Sequence, residues 1–161
     1  MTAGRLGVPT ALLCAFALAA LLGGCGAAAP ARTPTASDIP LLPGAKITTE
    51  VQHCDPGSRV FCSIELVVLD RSYTSSDILA HDESRNLRKA GWSLADGDTG
   101  TESSANSPGH KLRLIYSTAQ DDLEQIDLGT ITRQREIVLA MSKAMFDDAA
   151  AMSMVLEVGS T

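Results

Sequence analysis

The stretch VFCSIELVVLD, residues 60–70, decides the fold of this chain. Its apolar residues recur with a period of two, which is typical of a β-strand that places one face against a hydrophobic core. The residues between them are also half apolar, so we expect this strand to lie inside a sheet with part of its second face covered. The stretch is therefore predicted to be the central strand. The alternating positions are Val60, Cys62, Ile64, Leu66 and Val68.

A second strand is predicted just upstream, from Ala45 to Cys54, and a turn joins the two strands into a hairpin. The connection contains Asp55-Pro56-Gly57-Ser58, in which proline and glycine favour a tight turn. Cys54 and Cys62 flank this turn, and we expect them to form a disulfide. Such a bond would stabilise the domain by about 2.5 kcal/mol through the unfolded chain, and it is typical of proteins outside the reducing cytosol.

The pattern of the upstream strand conflicts with this disulfide unless the strand is irregular. Strict alternation puts Ile47 and Val51 on one face and Cys54 on the other, away from the core-facing Cys62. One extra residue in the strand would correct the register, so we expect a β-bulge around Gln52-His53.

Two other roles for these cysteines are less favoured. A metal site could use His53, Cys54 and Cys62, but the adjacent histidine and cysteine are too close in sequence for ordinary tetrahedral ligation, and no fourth ligand is evident. A redox-active pair would favour Cys-X-X-Cys spacing. We therefore expect a structural disulfide, no metal and no cofactor.

The segment after the hairpin is predicted to be a helix. Ser75-Ser76-Asp77 offers capping side chains at its start, and Gly91 ends it. The cations Arg85, Arg88 and Lys89 come late in this helix, where they complement the helix dipole. A solvent-exposed helix end is therefore favoured over a functional basic patch.

Short strands are predicted at 92–94 and 111–117, and the C-terminal third is mostly helical. One short helix ends at Gly129, and apolar residues recur at helical spacing from 137 to 145. Residues 149–158, rich in Ala, Met and Leu, favour a further helix, with a closing strand as the alternative. The predicted architecture is α+β, a single antiparallel sheet of about four strands with two or three helices packed on one face.

A long polar segment between the last two predicted strands is expected to be a flexible hairpin tip. It runs from Asp96 to His110 and contains no apolar residue larger than alanine. Asp96, Asp98 and Glu102 could bind calcium, but Gly100 replaces one expected ligand and the later bidentate glutamate is missing. A third possibility is an interaction loop for a partner, formed by Asp96, Asp98, Glu102 and His110.

The sequence offers little to catalysis. It contains no serine-nucleophile elbow, no zinc-binding helix motif and no phosphate-binding loop. His53, His81 and His110 are scattered along the chain. The active site of a small hydrolase could still form from residues distant in sequence, such as His53, His81 and Asp82. A hydrolase is therefore the alternative to a protein without enzymatic activity.

The N-terminal segment indicates where the protein acts. Arg5 precedes an apolar stretch from 11 to 22, and Leu22-Gly23-Gly24-Cys25 closes it. The run of about twelve apolar residues is short for a membrane span. The segment resembles the signal peptide and lipobox of bacterial lipoprotein precursors. The resemblance implies cleavage before Cys25 and attachment of a diacylglyceryl group to its thiol.

Three regions follow from this resemblance. Residues 1–24 are the lipoprotein signal peptide, 25–38 are the lipidated cysteine with a flexible Ala/Pro tether, and 39–161 are a single small α+β domain. The domain looks like small exported lipoproteins of uncharacterised function. Cleavage would remove one charge, that of Arg5, so the net charge of −6 would become −7. An acidic protein lacks the basic patch that nucleic acid or anionic lipid headgroups require.

The expected function is that of a membrane-anchored envelope lipoprotein that binds an envelope protein or ligand without catalysis. Lipid on Cys25 would hold it to the outer face of the cytoplasmic membrane, or in the periplasm or outer membrane of a bacterium that has one. The alternatives are a small envelope hydrolase and an accessory or inhibitor subunit of an envelope enzyme. An exposed apolar patch on the monomer would favour the subunit.

Mass spectrometry of the protein purified from native membranes is expected to show residues 1–24 removed and a diacylglyceryl group on Cys25. The Cys25→Ala variant is expected to lack lipid and to keep its leader, because the lipid acceptor is the thiol. An unmodified thiol at position 25 in the native protein would contradict the assignment.

Overall fold

The computed structural model describes residues 33–54, 61–95 and 102–158. They form one antiparallel sheet and three α-helices, with single 3-10 turns at Ala36–Asp38 and Pro108–His110. Ala36, which the sequence assigns to the tether, packs against the core of the domain. The elements in chain order are β1 (Lys46–Cys54), β2 (Cys62–Leu69), α1 (Ser76–Lys89), β3 (Ser93–Leu94), β4 (Ser103–Asn106), β5 (Leu112–Thr118), α2 (Ala119–Asp127), α3 (Arg135–Phe146) and β6 (Ala151–Val158).

The sheet has six strands in the order β1-β2-β6-β5-β4-β3. The α+β class and the single antiparallel sheet are confirmed, whereas the expected number of about four strands is too low. Strand β2 pairs with β1 on one side and with β6 on the other, so it lies inside the sheet as predicted.

Helices cover both faces of the sheet, and the prediction that they pack on one face is wrong. Ile64, Leu66 and Val68 of β2 share a core with α1. Val67, which points to the opposite side of the same strand, is fully buried in a second core with α3. The half-apolar second face of β2 is thus the part that α3 covers, because a strand buried on both sides needs apolar residues on both.

Strand β6 replaces the helix that residues 149–158 favour. Met152, Met154 and Leu156 face the α1 core, and Ala151 faces the α3 core. Ala, Met and Leu have high helix propensity, but pairing on both edges with β2 and β5 and burial on both faces outweigh that local preference. The alternative of a closing strand is therefore correct.

Strand β4 lies within the segment 96–110, for which the sequence predicts a flexible hairpin tip. Ser103–Asn106 pair with β5 on one side and with β3 on the other. Ala105 is fully buried even though it is the only apolar residue of the strand. The strand is therefore held by its backbone ladders, which leave no hydrophobic pattern in the sequence.

The β-bulge in β1 lies at Thr48 and not at Gln52-His53. Ile47 pairs with Val68 and Thr49 with Val67, so Thr48 is the extra residue, and its hydroxyl donates to the carbonyl of Val67 over 3.2 Å. The bulge rotates the rest of β1, so Ile47 and Val51 lie on opposite faces. Pairing then continues without interruption to Cys54.

The predicted disulfide between Cys54 and Cys62 is confirmed. The two residues are directly paired at the end of the β1–β2 hairpin. Because both sulfurs are bonded to each other, neither thiolate is available for the alternative metal site with His53. The predicted turn at 55–58 lies outside the described residues.

Two methionines of α3 test the second core. Met141 is fully buried and Met145 is 40% exposed. Met141→Ala is expected to lower the free energy of unfolding by about 2–5 kcal/mol, because it leaves a cavity beneath the sheet. Met145→Ala is expected to change it by less than about 1 kcal/mol. Denaturant titration of both variants measures the difference, and similar losses would contradict a core on this face.

Candidate interaction surface

The residues predicted for an interaction loop are only partly within the described chain. Asp96 and Asp98, like the proposed lipid acceptor Cys25, lie outside it. Glu102 is half-buried just before β4, and His110 is exposed at the turn before β5, where its backbone φ is +55°. The ordered strand β4 separates these two residues.

The histidines proposed for a hydrolase do not converge. His53 of β1 pairs with Ser63, on the face of the sheet that carries Val67 and α3. His81 lies on α1, which packs on the opposite face. The Nδ1 atom of His81 lies 3.6 Å from the Oδ1 atom of Asp82, and the side chain of His81 is 73% exposed. The sheet therefore separates His53 from the pair on α1.

Large apolar side chains are exposed instead on the helical hairpin formed by α2 and α3. There are four of them: Leu128 at 70% exposure, Leu139 at 58%, Met145 at 40% and Phe146 at 90%. We call this set the hairpin patch. Clusters of exposed apolar side chains on a small domain are typical of interaction sites.

The sequence of α3 explains how the hairpin patch forms. Ile137, Met141 and Ala144 face the sheet and are buried. Leu139 and Phe146 are seven residues apart, so they lie within about 20° of each other around the helix axis, on the side away from that core. The helix is thus apolar on two sides. This second stripe is the signal in the sequence from which the exposed apolar side could be predicted.

A shallow groove lies between the two helices and shares Leu128 and Met145 with the hairpin patch. Leu123 and Leu128 on the α2 side and Met145 on α3 supply its apolar surface, and Glu124 and Asp127 add two carboxylates. Its volume is about 520 Å³, and Gln120 and Ser142 complete the lining. We call it the hairpin groove.

A buried polar cluster attaches the hairpin to the sheet. Asp122 of α2 is fully buried and accepts hydrogen bonds from the hydroxyls of Ser117 (2.8 Å) and Ser153 (2.7 Å), which face each other on β5 and β6. Arg133, from the connection between the helices, donates to both carboxylate oxygens at 2.9 and 3.2 Å. The carboxylate is therefore fully paired, and the cluster acts as a structural clamp.

A second buried carboxylate holds the N-terminal segment against α1. Glu83 is fully buried, and its carboxylate accepts a 3.0 Å hydrogen bond from the backbone N–H of Leu42. The amide of Asn86, one turn further along α1, donates to the carbonyl of Pro40. Burial raises the pKa of Glu83, although the hydrogen bonds from Leu42 and Asn86 act in the opposite direction.

No helix within the described ranges is long and apolar enough to cross a membrane. Those ranges also contain no group of three or more His, Cys, Asp or Glu side chains placed to hold a metal ion. Comparisons with protein-family models, curated proteins and solved structures find no match to this chain.

The pH dependence of thermal stability tests the burial of Glu83. A raised pKa in the folded state means that folding favours the protonated carboxyl. The stabilisation that the protonated carboxyl gives to the fold is therefore fully present below the ordinary pKa of 4.5, and it is lost as pH rises through the pKa of the folded state. The Tm of the native protein is expected to fall relative to that of Glu83→Gln as pH rises from about 4 to about 7.

Glu136→Gln is the control, because Glu136 is an exposed glutamate on α3. Its Tm is expected to follow that of the native protein across the same range. Parallel curves for Glu83→Gln and the native protein would contradict a raised pKa at Glu83.

Proposed function

We propose that this protein is a lipid-anchored envelope lipoprotein that binds a partner protein through the hairpin patch and does not act as an enzyme. The observation that carries the proposal is the exposure of Leu128, Leu139 and Phe146 on one helical hairpin. Burying apolar side chains on binding is favourable by roughly 25 cal/mol per Å². A small set of such anchors supplies most of the affinity of a typical interface.

The clamp beneath the hairpin supports a binding role. Asp122 and Arg133 connect the hairpin to two strands at the centre of the sheet. An interface held in place before binding loses less conformational entropy when the partner arrives. The attachment of the hairpin to the sheet through Asp122 therefore favours recognition of a defined partner surface.

An accessory or inhibitor subunit of an envelope enzyme is a special case of this proposal. The same hairpin patch favours it, because a subunit that covers part of a larger enzyme needs an apolar contact surface. A partner that proves to be an enzyme, with activity that changes on binding, would distinguish this case from a purely structural interaction.

Quantitative pull-down from solubilised native membranes tests the patch. Leu139→Ser on α3 is compared with Ile78→Ser on α1, because the two side chains are 58% and 51% exposed on opposite sides of the sheet. Recovery of the partner is expected to fall by about tenfold or more with Leu139→Ser and to remain at the native level with Ile78→Ser. Equal effects of the two substitutions, or recovery that neither changes, would contradict the proposal.

A further inference from the structure

We infer that the hairpin groove binds a basic amphipathic helix of the partner protein. This inference rests on the proposed function and specifies the chemistry of the partner. It follows from the side chains that line the groove, from their charge and from the position of the groove between two helices.

The groove combines an apolar surface with carboxylates that belong to one helix. Leu123, Leu128 and Met145 provide the apolar contact. Glu124 and Asp127 are three residues apart on α2, so they project from neighbouring positions of the helix surface. Neither carboxylate forms an ion pair with any part of the chain that the structure describes.

The charge of the lining selects the partner. It includes two acidic side chains and no lysine or arginine. Lys143, on the same hairpin, already pairs with Asp147 at 2.7 Å. Lysine and arginine of a partner fit this environment, because their methylene stems can cover apolar surface while their charged ends reach the carboxylates.

The geometry favours a helix as the bound element. A shallow groove between two packed helices can receive the side-chain ridge of a third helix, which contacts it at positions i, i+3, i+4 and i+7. Helix α2, which forms one side of the groove, contains nine residues. Its length of about 13 Å matches two to three turns of a bound helix.

A second copy of the chain and an anionic membrane are less suitable occupants. A second copy of the mature chain would bring the same two carboxylates and a net charge of −7, which is the −6 of the full sequence less the charge of Arg5. An anionic bilayer would repel Glu124 and Asp127 for the same reason. Each of these occupants would give a result different from the one expected for a basic helix in the experiment that follows.

The probe is a synthetic amphipathic peptide of leucine and lysine, about 14 residues long, which forms about four helical turns. The mature chain, residues 25–161, contains every element that the structure describes, and it is coupled through the Cys25 thiol to a biosensor surface without detergent. Control peptides have either glutamate in place of lysine or the same composition without helical periodicity. Saturable binding is expected for the basic amphipathic peptide and not for the controls.

Charge variants of the protein locate the binding site. Glu124→Gln combined with Asp127→Asn is expected to weaken binding about tenfold and to reduce its dependence on salt. The matched control is Glu50→Gln combined with Glu136→Gln, which removes two charges from exposed positions outside the groove. That control is expected to retain affinity within about twofold. Equal effects of both double variants, or equal binding of the acidic peptide, would overturn the inference.

Failure of this inference can be separated from failure of the proposed function. If pull-down depends on Leu139 but is unchanged by Glu124→Gln with Asp127→Asn, the hairpin patch binds a partner of different chemistry and only the inference fails. Self-association that is lost with Leu128→Ser, measured by sedimentation, would assign the groove to a second copy. Binding to anionic vesicles that depends on Leu128 would assign it to the membrane. Either result would overturn the inference.

Discussion

Strand β6 is the last of the described elements in the chain, yet it lies in the interior of the sheet between β2 and β5. It forms seven residue pairs with each neighbour. Its alternating side chains also contribute to both hydrophobic cores. Without β6 the sheet would separate into the β1–β2 hairpin and the strands β3 to β5. The two cores therefore depend on one strand that pairs with segments distant in sequence, a topology that slows folding.

The same strand also positions the surface to which we assign binding. Ser153 of β6 and Ser117 of β5 both donate to Asp122, whose negative charge is balanced by Arg133. A buried ion pair is weak evidence of stability, because desolvation offsets much of the attraction. The hydrogen bonds that join Asp122 to Ser117, Ser153 and Arg133 nevertheless define the position of the α2–α3 hairpin on the sheet. The apolar side chains on the outside of that hairpin are thereby presented in a fixed arrangement.

The sequence predicts the parts of the fold whose residues repeat with a clear period or carry a local signal. The alternation around Leu66 identifies an interior strand, and the predicted cap of α1 is formed by Ser75, whose side chain accepts from the backbone N–H of Asp77. The disulfide follows from the position of two cysteines around a turn. In each case the physical cause lies within a few residues of the pattern.

The elements that could not be predicted from the sequence are determined by pairing and packing with residues distant along the chain. Strand β4 contains small polar residues and is held by two backbone ladders. Strand β6 has a composition that favours helix, and burial on two faces reverses that preference. The candidate surface was missed because Leu139 and Phe146 lie outside the helical stripe that marks the core. Which of two apolar stripes faces the sheet is settled only when the sheet is complete.

The two edges of the sheet differ in how they resist unwanted association between chains. β3 exposes only two residues at one edge, whereas β1 exposes nine at the other. A long regular edge invites a strand of another molecule and can begin aggregation. The bulge at Thr48 interrupts the hydrogen-bonding register of β1, so a foreign strand cannot pair along its full length. An irregularity that reconciles Cys54 with Cys62 inside the domain thus also protects its longest open edge.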